Sequence, residues 1–341
     1  MDSLKPFIND IAQGKFLTRE AAQKAFSIIM EGQATPSQIG AFLMGLRVRG
    51  EQLDEIVAAV SIMREKMTHV DAPANAFDIV GTGGDGVGTY NISTCSAFVI
   101  AAAGIPVAKH GNKALSSISG AADVLSELGL KLDLPVEKIG TCIKEAGIGF
   151  MFAPNHHSAM RHVGPSRQEM GTRTIFNMLG PLSNPASVEH MLVGVYDKAL
   201  VRPVCEVLKA LGAKAAIIVH GHDGLDEITI TSATSYALLI DGSITEGEIT
   251  PEEFGIKRAN IEDLKGGKPA ENADALRSVL DGTPSAYADI VMLNAGVALF
   301  VAGISKSMAE GVKKAKELIE NGAAKARLDS LVAVSERLYN E

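Results

Sequence analysis

From Phe77 onward, short apolar runs alternate with helical stretches, and that alternation restricts the fold more than any other feature of the 341-residue chain. The runs Phe77–Val80, Ile105–Ala108, Ile148–Phe152, Met191–Val195, Ala215–Val219 and Tyr236–Ile240 are short enough to be strands. Thr94–Ala103, Ala121–Leu128, Val136–Ala146 and Ala199–Leu211 carry helical spacing between them. Strands separated by helices build a mostly parallel central sheet flanked by helices, an α/β architecture. The first ~70 residues follow a different rule. Leu4–Gln13, Glu20–Met30, Pro36–Arg49 and Leu53–Met67 are all helical in period, with Gly14, Gly32 and Gly50 as stops. Thr35, Pro36 and Gln38 form the clearest start, a cap, a first-turn proline and a capping-box partner. The expectation is a small all-helical N-terminal domain, 1–70, a linker His69–Ala76, and a large α/β domain, 75–341. Residues 155–180 lack a strand signal and are expected to pack as helices on the small domain, and the chain beyond Asn272 reads as helices.

Composition narrows the classes of function. Lys plus Arg number 32 against 40 Asp plus Glu, a net charge of −8. No general basic field for nucleic acid or anionic lipid exists at that balance. Three scattered cysteines, Cys95, Cys142 and Cys205, contain no CxxC and suit a reducing compartment. The first residues show no secretory pattern, and the apolar stretch Ile290–Ile304 is shorter than the ~20 residues of a spanning helix. A cytoplasmic protein is expected, with no membrane or nucleic-acid partner.

The most informative segment is Asp78–Ser96, DIVGTGGDGVGTYNISTCS. A strand runs into Gly81, Gly83, Gly84, Gly86 and Gly88, and Asn91, Ser93 and Thr94 follow at a helix start. Glycines allow positive φ and close approach of amides, while a helix N-terminus adds unpaired N–H donors and a partial positive charge. The result is an anion cradle. Gly81, Gly83 and Gly86 satisfy GxGxxG formally, but Gly86 does not open the helix and no carboxylate stands about 20 residues on, so a dinucleotide site does not fit. A P-loop's closing GK[ST] is also missing.

The following strand ends in Lys109-His110-Gly111-Asn112-Lys113, with Ser116, Ser117 and Ser119 beyond. Residues 86–122 hold two lysines and no Asp or Glu, unusual in an acidic chain and suited to a highly charged anion at the C-terminal edge of the sheet. A later strand leads to Gly221-His222-Asp223-Gly224-Leu225-Asp226-Glu227. Mg²⁺ favours one or two carboxylates plus ligand phosphates, so Asp226 and Glu227 are candidates to hold it. The cluster His156, His157 and His162 lacks HExxH and does not read as a zinc site. Arg167 and Arg173 nearby suit a planar carboxylate. Cys95, at a helix start, reads as a small buried residue rather than an activated thiolate.

GTGGD at Gly81–Asp85, NIST at Asn91–Thr94, KHGN at Lys109–Asn112, RTIFNMLGP at Arg173–Pro181 and the pair Asp226–Glu227 occur in one order along the chain. Together they resemble the anthranilate phosphoribosyltransferases of tryptophan biosynthesis. The resemblance implies transfer of a phosphoribosyl group from 5-phosphoribosyl 1-diphosphate (PRPP) to anthranilate, with Mg²⁺. It also implies a homodimer joined through the helical part, helped by part of 155–190. By position, PRPP would be held by Gly81, Gly83, Gly84, Asp85, Thr89, Asn91, Ile92, Ser93, Thr94 and Lys109. The run His110, Gly111, Asn112, Lys113, Ala114, Leu115, Ser116 and Ser117 joins that set, together with Ala121. Gly81, Asn112 and Arg167 match the anthranilate positions, with His110, Pro154, His157 and Gly180 as pocket walls. Ser93, Asp226 and Glu227 match the magnesium positions. Lys113, Ala114, Leu115, Ile118, Ala121, Ser158 and Gln168 depart from the residues common in the family, and Gln168 leaves Arg167 as the one arginine for the aryl carboxylate. No acid–base residue is assigned. The competing expectations are a pyrimidine nucleoside phosphorylase, which the ordered motifs disfavour, and a nucleic-acid-binding relative, which the net charge disfavours.

Overall fold

The computed structural model describes residues 3–84, 86–114 and 118–341. The helical start is built as its caps dictate. The Thr18 hydroxyl accepts the Ala21 N–H to open Arg19–Met30, and Thr35 with Gln38 closes a reciprocal capping box at Pro36–Arg49. Both helices and Leu53–Lys66 turn their apolar residues inward, and Phe26 meets Phe42 edge-on with ring centroids 5.5 Å apart. Phe26 also meets Phe176, from the short helix Phe176–Leu182, at 6.2 Å. Phe176 thus brings the segment after residue 153 against the helical module. That segment runs as short turns, Ala153–His156, Ser158–His162, Gly164–Met170 and Phe176–Leu182.

Among the described residues the sheet has seven strands: β1 (Phe77–Gly81), β2 (Val107–Gly111), β3 (Ile148–Phe152), β4 (His190–Gly194), β5 (Ala215–Gly221), β6 (Thr234–Ile240) and β7 (Ser243–Ile249). Their order is β3-β2-β1-β4-β5-β6-β7. The first five run parallel, and β6 and β7 add an antiparallel hairpin at one edge. β7 is a strand that the apolar-run criterion missed, because its residues Ser-Ile-Thr-Glu-Gly-Glu-Ile are mostly solvent-exposed. β2 lies two to three residues later than Ile105–Ala108, since its second half is built from the polar Lys109 and His110, both buried.

Helices flank the sheet: Ile92–Ala102 packs on Ala286–Val301 and Ala323–Asn340, and Val201–Ala210 packs on β5 and β6. The apolar helix Ala286–Val301 is enclosed by protein, and its Asn294 exchanges bonds with the Ile228 N–H and carbonyl at 2.9 and 2.8 Å. No helix among the described residues is long and apolar enough to cross a membrane. Strand order reverses between β1 and β4, and the crevice beyond the strand C-termini at such a point is where α/β sheets take ligands.

Candidate active site

The glycine-rich loop leaves β1 at that reversal. Gly83, Gly84, Gly86 and Gly88 all hold positive φ, and a Cβ on Gly83, Gly86 or Gly88 would point into open space. These positions are therefore glycine for backbone conformation and not for lack of room. The loop is braced from below. Tyr90 N–H donates to Leu264 O at 3.0 Å and Gly266 N–H donates to Gly88 O at 3.0 Å. Asn91 opens the helix Ile92–Ala102; its side-chain oxygen accepts from Asn272 Nδ2 at 2.9 Å and its carbonyl accepts from the Tyr287 hydroxyl at 3.0 Å. Tyr90 stacks on Tyr287 with centroids 4.6 Å apart. Leu264, Asn272 and Tyr287 carry no motif, so sequence reasoning had no signal for them.

Asp226 reaches the same point from beyond β5. Its carboxylate accepts the Gly83 N–H at 2.7 Å. A Cβ on Gly81 would lie 2.3 Å from Asp226 Oδ2, and one on Gly194 would lie 1.5 Å from the Asp226 carbonyl oxygen. Both central strands thus end in glycine because the Asp226 segment crosses their tips. Gly194 is a further residue that the sequence reading did not single out. Asp226 and Glu227 are both buried, while Asp223 is spent on its own turn: its carboxylate accepts the Leu225 N–H and the Thr229 and Thr231 hydroxyls. Two buried carboxylates beside an amide-lined loop are a hard-oxygen donor set that suits Mg²⁺ completed by ligand phosphates. Among the described residues no group of three or more His, Cys, Asp or Glu could form an all-protein cage. Ser93 sits in the first turn of Ile92–Ala102, half-buried, and its hydroxyl has no hydrogen-bond partner among the described residues. Thr94 and Ile92 are buried in the same turn, and Thr89 bridges to Lys265 beneath the loop.

Lys109 is turned inward. The residue is 2% exposed, and its ammonium donates to Ile79 O at 2.7 Å. Burial pushes its pKa down, opposed by the negative charges of Asp78 and Glu227. Asn112 and Lys113 are exposed; Lys113 Nζ lies 5.7 Å from the centre of the Phe152 ring. The Asp123 carboxylate accepts the Ala114 and Gly120 N–H groups, each at 2.9 Å. Gly111 has no room for a Cβ beside Phe150 and Ala121. Asp85, Leu115, Ser116 and Ser117, all candidates for the donor site, lie outside the described residues.

The histidines part company. His110 and His157 meet with their Nε2 atoms 3.2 Å apart, whereas His156 Nδ1 faces Thr68 O at 2.9 Å and His162 accepts from Arg161. Burial drives His110 well below its ordinary range, with repulsion from His157 and His156 adding to it. Burial takes His157 down to about 4. Both rings are therefore neutral near pH 7, one donating and the other accepting. Arg167 projects from Gly164–Met170 with its guanidinium 5.6 Å from the Phe176 ring centre, and burial lowers its pKa. It has no ion-pair or hydrogen-bond partner for its side chain among the described residues. The Gly180 position opens into free space, and Pro154 is exposed at the end of β3. Arg173 donates to Gly84 O and stacks over Tyr196 at 4.1 Å, while Arg47 of the helical module donates to Thr172 and to the Arg173 carbonyl. A chain of contacts thus joins the helical module to the glycine loop. Cys95 is buried and its thiol pKa is raised by burial, so it is no thiolate. A cavity of about 330 Å³ bounded by Pro73, Ile105, Lys144 and Arg327 lies at the opposite edge, by the start of β2, and includes no predicted site residue.

Two family models match this chain: residues 5–67 as a glycosyl transferase helical bundle domain, and residues 73–325 as a glycosyl transferase a/b domain. Anthranilate phosphoribosyltransferase from Bradyrhizobium sp. strain BTAi1 is 59% identical over 335 residues, covering 98% of this chain and 99% of that protein. The chain belongs to the anthranilate phosphoribosyltransferase family. A second anthranilate phosphoribosyltransferase, from Xanthobacter autotrophicus, is 58% identical across 100% of the chain and 99% of its own length. The anthranilate phosphoribosyltransferase crystal structure from Thermus thermophilus superposes with a TM-score of 0.92 at 41% identity, covering 96% of this chain and 99% of that one. The Saccharomyces cerevisiae enzyme in complex with PRPP and Mg superposes at 0.89, with 28% identity and 98% of both chains covered.

Proposed function

We infer that this chain transfers the phosphoribosyl group of PRPP to the amine of anthranilate, giving N-(5-phosphoribosyl)anthranilate and diphosphate, in L-tryptophan biosynthesis. It is a pentosyl-transferring glycosyltransferase. The observation that carries this reading is the meeting of an amide-lined glycine loop with two buried carboxylates, Asp226 and Glu227, at the strand-order reversal.

The chemistry follows from those parts. Breaking the ribose C1–oxygen bond leaves the electron pair on diphosphate and positive charge on the sugar. Amides of the glycine loop and the start of Ile92–Ala102 would face the oxygens where the negative charge grows, the Gly83 N–H exchanging its bond to Asp226 for one to diphosphate, and one such donor is worth ~10²–10³ in rate. Mg²⁺ held by Asp226, Glu227 and Ser93 would supply Lewis-acid stabilisation of the leaving group. The aryl amine of anthranilate is neutral at pH 7, and the paired neutral imidazoles of His110 and His157 add no charge beside it. Arg167, lacking an internal counter-ion, would grip the carboxylate, with Asn112, Pro154 and Gly180 bounding the ring. The task left to the protein is orientation of the amine on C1. PRPP would contact the glycine loop, the NIST turn and the Lys109–Ser117 run, with Lys109 contributing as a buried charge beneath the site. Closure of domain 1–70 on domain 75–341 would exclude competing water.

The helical module exposes Phe16, Val48 and Leu53, 61%, 82% and 39% accessible, a surface that suits a second copy of the chain in a homodimer. Three unpaired, buried cysteines suit a cytoplasmic site of action. The test is the fluorescence of anthranilate. It should fall only when the chain, PRPP and Mg²⁺ are all present, and a fall without PRPP, or none with all three, would refute the reading.

A further inference from the structure

β1 is paired with β4 over five residues, and β2 with β3 over five, yet β1 and β2 are in register at a single pair, Phe77 with Val107. Beyond that pair the two central strands lack the ladder their neighbours have. Buried main-chain groups left this way need other partners, and three buried polar side chains supply them. Lys109 Nζ donates across the gap to Ile79 O at 2.7 Å. Asp78, with no exposed surface, accepts the His110 N–H at 3.3 Å. Asn184, also fully buried, uses both hydrogens of its amide, donating to Asp78 Oδ2 at 2.7 Å and to Ala108 O at 2.9 Å. The Asn184 carbonyl oxygen accepts the Ala186 N–H at 2.8 Å, which fixes the orientation of the amide.

We propose that Asp78 and Asn184 form a polar wedge that holds the C-terminal halves of β1 and β2 apart and so sets the separation between the donor loop and the acceptor pocket. β1 leads to Gly81–Gly84; β2 leads to His110 and Asn112; Asn184 follows directly on the segment carrying Gly180. The wedge ties all three together. It also keeps the Lys109 ammonium in place, since Asp78 is one of the two carboxylates acting on that charge. Neither residue touches substrate in this scheme. They are positioning residues, and the proposal rests on the transferase reading above.

An ionised carboxyl in a dry site is costly, and burial raises Asp78 to about 6 in spite of Lys109, Asn184 and the His110 N–H. A strand core could be filled more cheaply by a hydrophobic residue. The cost is intelligible if the group sets geometry on which rate depends.

The test is a kinetic split between kcat and the two binding constants. Asp78→Asn replaces two acceptor oxygens with one, so its NH₂ must face either the Asn184 amide or the His110 N–H, and the negative charge near Lys109 is lost. At a misplacement of about 1 Å, kcat per folded molecule should drop by roughly a hundredfold. The Kd of PRPP by calorimetry and the KM of anthranilate should each move by less than about threefold. Asn184→Ala carries the same expectation if Asp78→Asn does not fold. A merely structural role predicts loss in proportion to unfolded protein, with no kcat change per folded molecule; that result, or PRPP and anthranilate constants that move as far as kcat, overturns the proposal. Wild-type protein that makes no phosphoribosylanthranilate would instead defeat the transferase reading.

Discussion

Alanine at position 194 offers a severe perturbation of the site from a single methyl group. Gly194 has no positive φ, so alanine can adopt its backbone conformation. The cost is steric: the new Cβ would stand 1.5 Å from the Asp226 carbonyl oxygen and 2.3 Å from its carbon, where ordinary contact begins near 3.4 Å. The obstacle is main chain and cannot rotate aside. Either the Asp226–Glu227 segment withdraws by close to 2 Å, or β4 moves against β1 and β5. Overpacking of this kind costs ~1–3 kcal/mol, which a domain of this size survives. Catalysis should not survive it, because Mg²⁺ requires oxygens at ~2.0–2.1 Å and a 1 Å misplacement is worth ~10² in rate. Gly81→Ala is a matched control. Its Cβ would meet the end of the Asp226 side chain at 2.3 Å, and that end can swing away. Steady-state anthranilate fluorescence over a magnesium series, with circular dichroism and melting curves alongside, compares the two. The expected result is a folded Gly194→Ala protein reduced at least ~100-fold at saturating Mg²⁺, and a Gly81→Ala protein reduced about tenfold and partly restored by more Mg²⁺. Wild-type turnover in Gly194→Ala, or greater damage in Gly81→Ala, would refute the reasoning.

Other outcomes follow from the same geometry. Asp226→Asn with Glu227→Gln should shift the magnesium dependence of PRPP binding to much higher concentration; calorimetry at graded Mg²⁺ checks it, and an unchanged curve removes the pair from the metal site. Arg167→Ala removes a charge-assisted grip worth ~1.5–3 kcal/mol, so the anthranilate KM should rise about 10–100-fold with little change for PRPP; equal shifts would take Arg167 out of the aryl pocket. Burial holds His157 at about 4 against an ordinary 6.5, so between those values the unfolded chain takes up a proton that the native chain does not. Stability should therefore fall as pH drops from 6.5 towards 4 and owe nothing to His157 above 7. Melting curves of His157→Gln should show a smaller loss between pH 7.5 and 4.5 than the wild type.

What was legible in the sequence was what periodicity and punctuation encode. The Thr35–Gln38 capping box, the stop glycines and the runs at Ile148–Phe152 and Ala215–Val219 stand where local rules put them. β2 was displaced because Lys109 and His110 interrupt its apolar run, although both side chains are buried by tertiary partners that local pattern cannot foresee. β7 escaped because an edge strand carrying Glu246 and Glu248 reads as a loop. The glycine loop and the Asp226–Glu227 pair were each visible, but their meeting depends on strand order. Gly194 belongs to no motif, and its need for glycine arises only where the Asp226 main chain crosses it. Asp78 and Asn184 lie 106 residues apart and give no local sign of their bond.

The most direct trial of the account is a crystal of this chain soaked with PRPP and Mn²⁺, the metal located by its anomalous signal. The account predicts the metal at the carboxylates of Asp226 and Glu227, with diphosphate over the amides of Gly83 and Gly84. Diphosphate and metal both bound elsewhere, with the Asp226 carboxylate still accepting the Gly83 N–H, would contradict it.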